Sequence, residues 1–225
     1  MKKNFYLIIA IILLIPLTGC MVGTYSQEEK HADPSTPMLK PEDVLYYNSV
    51  EEAVAHNNLD TFNTKHIGEQ IKLFRHDNIA VLFFKTNEFN KDAIYMLKFY
   101  IKESGGTQFS SPISGSNIQW EAHKAAVRMN NCDETGEIRL CIELLNTSQV
   151  FNVDNTKTFV WGVSQTENVN DLEIEGQSAT EVIEVELDGE VGYFWYFDDL
   201  ETEKPLAFED IRKYTHGELI ITIPA

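Results

Sequence analysis

The chain has 225 residues, with 18 Lys and Arg against 35 Asp and Glu, for a formal charge of −17. Hydrophobic residues at 43% and charged residues at 24% are globular proportions, so a wholly disordered or collagen-like chain is excluded, and the length suffices to bury a core as one domain or two small ones. The acidity argues against a nucleic-acid partner, because phosphate binding needs a basic face.

Along the chain, Lys2 and Lys3 precede an apolar run, Phe5–Pro16. The run is shorter than the ~20 residues that span a bilayer, and it has the form of a secretory signal. Directly behind it, Leu17-Thr18-Gly19-Cys20 resembles a bacterial lipobox. The resemblance implies a diacylglyceryl group on the Cys20 thiol, removal of residues 1–19, and Cys20 as the new N-terminus. Two acyl chains anchor stably where one is marginal. The expected location is the extracytoplasmic face of the cell membrane, with the membrane a partner through the lipid. Loss of Lys2 and Lys3 takes the formal charge to −19. An anionic surface repels such a body, so the lipid and not electrostatics holds it there.

Residues 20–40 are polar, with Pro34 and Pro37, and read as a lipidated Cys followed by a flexible tether of about 25 Å r.m.s. reach. The β-rich globular region is expected over 41–225, as one domain or as two subdomains dividing near the polar stretch 146–156. Ser49-Val50-Glu51-Glu52 has the form of a capping box opening one short helix that ends by Asn57-Asn58. Gln70–Arg75 and Ile79–Lys85 are rich in β-branched and aromatic residues and flank His76-Asp77-Asn78, which reads as a hairpin turn. Ala93–Lys102 alternates as a half-buried strand, ended by Gly105-Gly106. Trp120–Met129 fits helix or strand. Gly136–Leu145, Lys157–Ser164, Asp171–Glu175, Glu181–Leu187, Glu190–Phe197 and Glu218–Ile223 are further strand candidates. The fold class is mainly β, with α+β the alternative: antiparallel sheets packed as a sandwich, with one short early helix.

The strand-rich C-terminal half, from Phe159-Val160-Trp161-Gly162-Val163 through Tyr193-Phe194-Trp195-Tyr196-Phe197, resembles that of small uncharacterised lipoproteins of Bacillus-like Gram-positive bacteria. The resemblance covers about a third of the chain and implies an exported setting. It carries no activity with it.

Candidate chemistry is sparse. Cys132 and Cys141 flank Asp133-Glu134-Thr135-Gly136, and a hairpin there sets them opposite each other, so a disulfide is expected in an oxidising compartment, where closing so short a loop adds about 2–3 kcal/mol; the alternatives are two free thiols or half a metal site. The six His show neither His-x-x-x-His nor His-Glu-x-x-His and read as scattered surface side chains, so no metal site is expected. There is no Gly-x-Ser-x-Gly elbow and no P-loop, no catalytic residue is assigned, and no cofactor is expected. Ser110–Ser116 reads as a Ser-rich loop and Asp198–Glu203 as a solvated acidic loop. Asp188-Gly189 is a strong two-residue hairpin turn. It places Glu184, Glu186, Tyr193, Trp195 and Phe197 on one face, and Ile183, Val185, Phe194 and Tyr196 on the other. Glu184, Glu186, Tyr193 and Trp195 are the candidate binding residues, since aromatics beside carboxylates suit a protein, peptide or carbohydrate partner. The competing reading, which the residues favour, is that Trp195 and Phe197 are covered by another layer while Glu184 and Glu186, near the hairpin tip, stay in water.

The leading functional expectation is a membrane-anchored extracytoplasmic lipoprotein acting as a binding or interaction module, with a non-enzymatic role expected. The alternatives are an envelope hydrolase with a site assembled from distant residues, and an inhibitor or immunity protein whose acidic surface suits a basic target.

Overall fold

In the structure, a computed structural model, residues 40–59, 66–88, 91–145, 157–202 and 219–223 are described. Cys20, the expected tether up to residue 39, and the segment 146–156 lie outside them. In chain order the elements are β1 (Tyr46–Tyr47), α1 (Val50–Ala55), β2 (Glu69–His76), β3 (Ile79–Glu88), β4 (Lys91–Glu103), β5 (Thr107–Ser110), β6 (Ser114–Gln119), α2 (Trp120–Met129), α3 (Glu134–Leu145), β7 (Lys157–Ser164), β8 (Glu173–Ile174), β9 (Gln177–Ser178), β10 (Glu181–Leu187), β11 (Glu190–Glu201) and β12 (Ile221–Thr222). The fold is mainly β, with several antiparallel sheets. One sheet runs β1-β5-β4-β3-β2, with β6 also paired to β4; a second runs β10-β11-β7, and a small third β12-β8-β9.

Local chemistry explains most of these elements. Ser49 caps α1 by accepting from the Glu52 amide at 3.1 Å, while the Glu52 carboxylate accepts from the Asn48 amide at 3.1 Å, one residue beyond the expected return bond. The β2–β3 turn puts Asp77 at φ +50°, and the β10–β11 turn puts Asp188 at φ +52° and Gly189 at φ +79°. Positive φ at both central residues is the backbone of a type I′ hairpin, and Gly189 meets it without a Cβ penalty.

The two central strands of the first sheet are buried on both faces. Ala80, Leu82, Phe84, Tyr95, Leu97 and Phe99 pack on one side with Val50, Ala53 and Val54 of α1. Val81, Phe83, Ile94 and Met96 face the other side, toward the second sheet. There the ring centroid of Phe83 lies 4.9 Å from Trp161, 5.0 Å from Phe194 and 5.9 Å from Phe159, and Phe74 lies 4.7 Å from Tyr196. This aromatic layer makes the two sheets a sandwich. The outer face of the second sheet is covered in turn by Ile138, Cys141 and Ile142 of α3, by Val169 of the 3-10 turn Glu167–Asp171 and Leu172 directly after it, and by Ile174 and Ile221 of the small sheet. The same core therefore draws on residues before 146 and after 156.

Polar ties lock the sheets at two corners. Asp92 and Asp188 exchange bonds, each accepting from the other's backbone amide, at 2.8 and 3.0 Å. Lys85 joins them through the Asp92 carboxylate at 3.4 Å and also donates to the Glu186 carbonyl. At the other corner Lys72 of β2 and the Tyr196 hydroxyl both donate to the Glu181 carboxylate, at 2.6 and 2.7 Å.

Three expectations are corrected. Gly136–Leu145 is helix and not strand, because Ile138, Cys141 and Ile142 fall at the i, i+3, i+4 spacing of one helical face, and Asp133 caps the helix by accepting from the Gly136 amide at 2.7 Å. The Cys132–Cys141 disulfide fails for the same reason. Both thiols are free. The helical rise carries Cys141 about 10 Å along the axis from the helix start, whereas bridged Cys need Cα atoms within about 7 Å. The Ser-rich and acidic stretches, expected as loops, are in large part strand. Ser114–Gln119 pairs with β4, and Asp198–Glu201 continues β11 through a bulge between Phe197 and Leu200.

Packing behind β7 is tight. A Cβ at Gly162 would stand 2.3 Å from Trp195 Cζ2 and 2.8 Å from Cys141 Cβ. Gly162→Ala should lower unfolding free energy by about 3 kcal/mol, at the upper end of overpacking costs. Trp195→Ala should cost about 3–5 kcal/mol through lost packing. In a double-mutant cycle by denaturant unfolding, the Gly162→Ala cost should shrink in the Trp195→Ala background, since the clashing ring is gone.

Candidate functional site

The Asp188-Gly189 turn sets the register of β10 and β11, and that register sets the faces. Leu187 pairs with Glu190, Glu186 with Val191, Glu184 with Tyr193, and Val182 with Trp195. On the far side of β11, Tyr193 pairs with Ser164 and Trp195 with Gly162. Two rows thus cross the outer face of the second sheet, Val182–Trp195–Gly162 and Glu184–Tyr193–Ser164. The structure divides this face between core and surface. Trp195 is fully buried and Phe197 nearly so, under α3 and the 3-10 turn. Glu184 and Glu186 are exposed and Tyr193 is half-buried. Trp195 thus belongs to the core, and what reaches solvent is Glu184, Glu186, Tyr193 and Val191.

The second row ends in a buried polar cluster that the sequence did not reveal. Ser164 donates from its hydroxyl to Glu137 Oε2 at 3.0 Å. Glu137 Oε1 accepts from His123 Nε2 at 2.7 Å and from both the backbone and side-chain nitrogens of Gln165 at 3.2 Å. A carboxylate only accepts, so the proton on His123 is assigned to Nε2. His123, Glu137 and Ser164 are all buried. His123 comes from α2, where it shares a buried face with Trp120 and Lys124 at i, i+3, i+4 and stacks on Trp120 with centroids 5.8 Å apart. Glu137 sits in the first turn of α3, oriented by the Asp133 cap. The expectation of six surface His is corrected at this position. The missed signal is that His123 lies on the apolar face of a helical Trp120–Met129.

The order of this cluster decides its chemistry. Nucleophile activation needs the hydroxyl to donate to the imidazole, with the carboxylate behind it. Here the carboxylate stands between Ser164 and His123, and the hydroxyl donates to it. The arrangement is a clamp joining α2, α3 and β7. His123 Nδ1 is left buried without a hydrogen-bond partner, and so is Trp195 Nε1.

Charges on the hairpin are handled differently on its two faces. On the inner face, the Lys72 bond holds the Glu181 carboxyl below the usual range, with the Tyr196 hydroxyl adding to it. The Lys124 bond does the same for Glu190, with Trp120 adding. On the outer face, partial burial pushes the Tyr193 phenol up, and the nearby Glu167 and Glu184 push it further. Among the described residues, no group of His, Cys, Asp and Glu is placed to hold a metal ion, and no helix is long and apolar enough to cross a membrane.

Comparison of the chain with protein-family models, curated proteins and solved structures finds no match.

The two thiols should react very unequally. Burial pushes both upward, far more for Cys141, which also donates to the Val163 carbonyl at 3.3 Å. A raised thiol keeps less reactive thiolate at a given pH. At pH 8, iodoacetamide should modify Cys132 slowly and leave Cys141 untouched until denaturant is added, as read by mass spectrometry. Glu137→Ala should cost about 3–5 kcal/mol in denaturant unfolding, because it strands His123 and Ser164 as unpaired buried groups.

Proposed function

We infer that this chain is a lipid-anchored extracytoplasmic binding module. The anchor rests on Leu17-Thr18-Gly19-Cys20 behind a short apolar run. The binding role rests on the outer end of the β10–β11 hairpin, where Glu184 and Glu186 flank Tyr193 at the surface of a rigid, two-layer scaffold. A site carried on paired strands and backed by a packed core is held in geometry more firmly than one on a loop. The hydrolase reading draws on His123, Glu137 and Ser164, but their order and burial suit a structural clamp. The inhibitor or immunity reading uses the same exposed carboxylates as the binding role and differs only in the identity of the partner.

The anchor is tested by Cys20→Ala. Wild type should sediment with membranes and incorporate labelled fatty acid, while the variant should accumulate as unprocessed precursor or leave the membrane. A variant that stays membrane-bound with wild-type processing overturns the anchor.

A further inference from the structure

Resting on the binding-module reading, we propose that the outer face of the β10–β11 hairpin docks an extended, Lys- or Arg-bearing segment of another protein. The two faces of this hairpin differ in how their carboxylates are matched. Glu181 and Glu190, on the inner face, each bind a lysine, Lys72 and Lys124, at 2.6 Å. On the outer face, Glu184 and Glu186 have no salt bridge among the described residues. Glu167, close enough to act on the Tyr193 phenol, has none either. The lysines that reach the hairpin are engaged at groups other than these carboxylates: Lys85 at Asp92 and the Glu186 carbonyl, Lys124 at Glu121 and Glu190. Unpaired carboxylates in a chain of charge −17 raise the local negative potential and steer a cationic partner to this surface.

Shape narrows the partner further. Glu184 and Glu186 are alternate residues of one strand, so their side chains recur about 7 Å apart on the same face. An extended segment with cations at i and i+2 carries charge at the same interval. Between and beside the carboxylates lie Val191, 52% exposed, and the half-buried Tyr193, which offer apolar contact to lysine or arginine stems. A carbohydrate is served less well. It needs an open aromatic platform, and Trp195, the largest ring of this face, is closed off in the core.

The test is fluorescence anisotropy of a labelled six-residue peptide alternating Lys and Thr, titrated with the full chain in nonionic detergent at low ionic strength. A peptide with Glu in place of Lys is the ligand control. Binding of the Lys peptide should weaken about three- to tenfold in Glu184→Gln/Glu186→Gln, the range for two exposed ion pairs, and by a similar factor in Val191→Lys. It should weaken further in salt. Glu42→Gln/Glu51→Gln, an equal charge change on exposed residues at α1 and its approach, should leave affinity within about twofold. Unfolding midpoints should be unchanged, since all these side chains are exposed. Absence of Lys-peptide binding, or equal weakening by the Glu42/Glu51 pair, overturns the proposal. The titration does not depend on lipid at Cys20, so its failure leaves the anchor standing, and failure of the anchor test leaves this surface standing.

Discussion

Contact between Phe83 and the three rings of Phe159, Trp161 and Phe194 is the interaction on which the rest of this structure depends. It joins a central strand of the first sheet to two strands of the second, from segments about 75 to 110 residues further along the chain. Rings with centroids about 5–6 Å apart bury large area and also resist sliding, because edge-to-face and offset geometries are specific. Once that layer is set, the outer face of the second sheet must be covered by something else, and α3 with the 3-10 turn supplies the cover. At Gly162 this second layer comes so close that Trp195 and Cys141 fill the space a Cβ would need.

Polar groups in this arrangement do two kinds of work. The Glu137 carboxylate gathers donors from α2, from β7 and from the residue after β7, and so fixes where the two helices sit on the sheet. Such a buried cluster adds specificity more than net stability, since desolvation offsets much of its attraction. The reciprocal Asp92–Asp188 bonds and the Lys72–Glu181–Tyr196 link lie nearer the surface and hold the sheets in register at two corners. With these ties in place, the β10–β11 hairpin presents its outer carboxylates from a backbone that is braced on its inner side.

The functional reading follows from that asymmetry. Acidity spread evenly over a surface serves solubility, and the charge of −17 on its own says no more than that. Matched carboxylates on one face of a hairpin and unmatched ones on the other are a more specific arrangement. Under the proposed binding role they mark the outer face as the side to test for a partner, while the proposed exported location rests wholly on the N-terminal segment.

The sequence by itself determined what depends on neighbours along the chain. The capping residues of α1, the His76-Asp77-Asn78 and Asp188-Gly189 turns, and the bounds of β7 and β10 were all readable, because φ preferences and alternation act within a few residues. The pairing of Glu184 with Tyr193 followed from the turn alone. Tertiary structure decided where alternative periods competed. Gly136–Leu145 satisfies both alternation and a helical stripe, and only the apolar surface behind β7 selects the helix, which removes the expected disulfide. Ser114–Gln119 has a weak strand pattern and pairs because β4 offers an unfilled edge. Trp195 and Tyr193 stand on one face by register; the sequence favours a covered Trp195 without saying what covers it, and the reach of α3 and the 3-10 turn over that face separates core from surface. The His123–Glu137–Ser164 cluster is wholly of this second kind, since its members lie on three elements and no local rule brings them together.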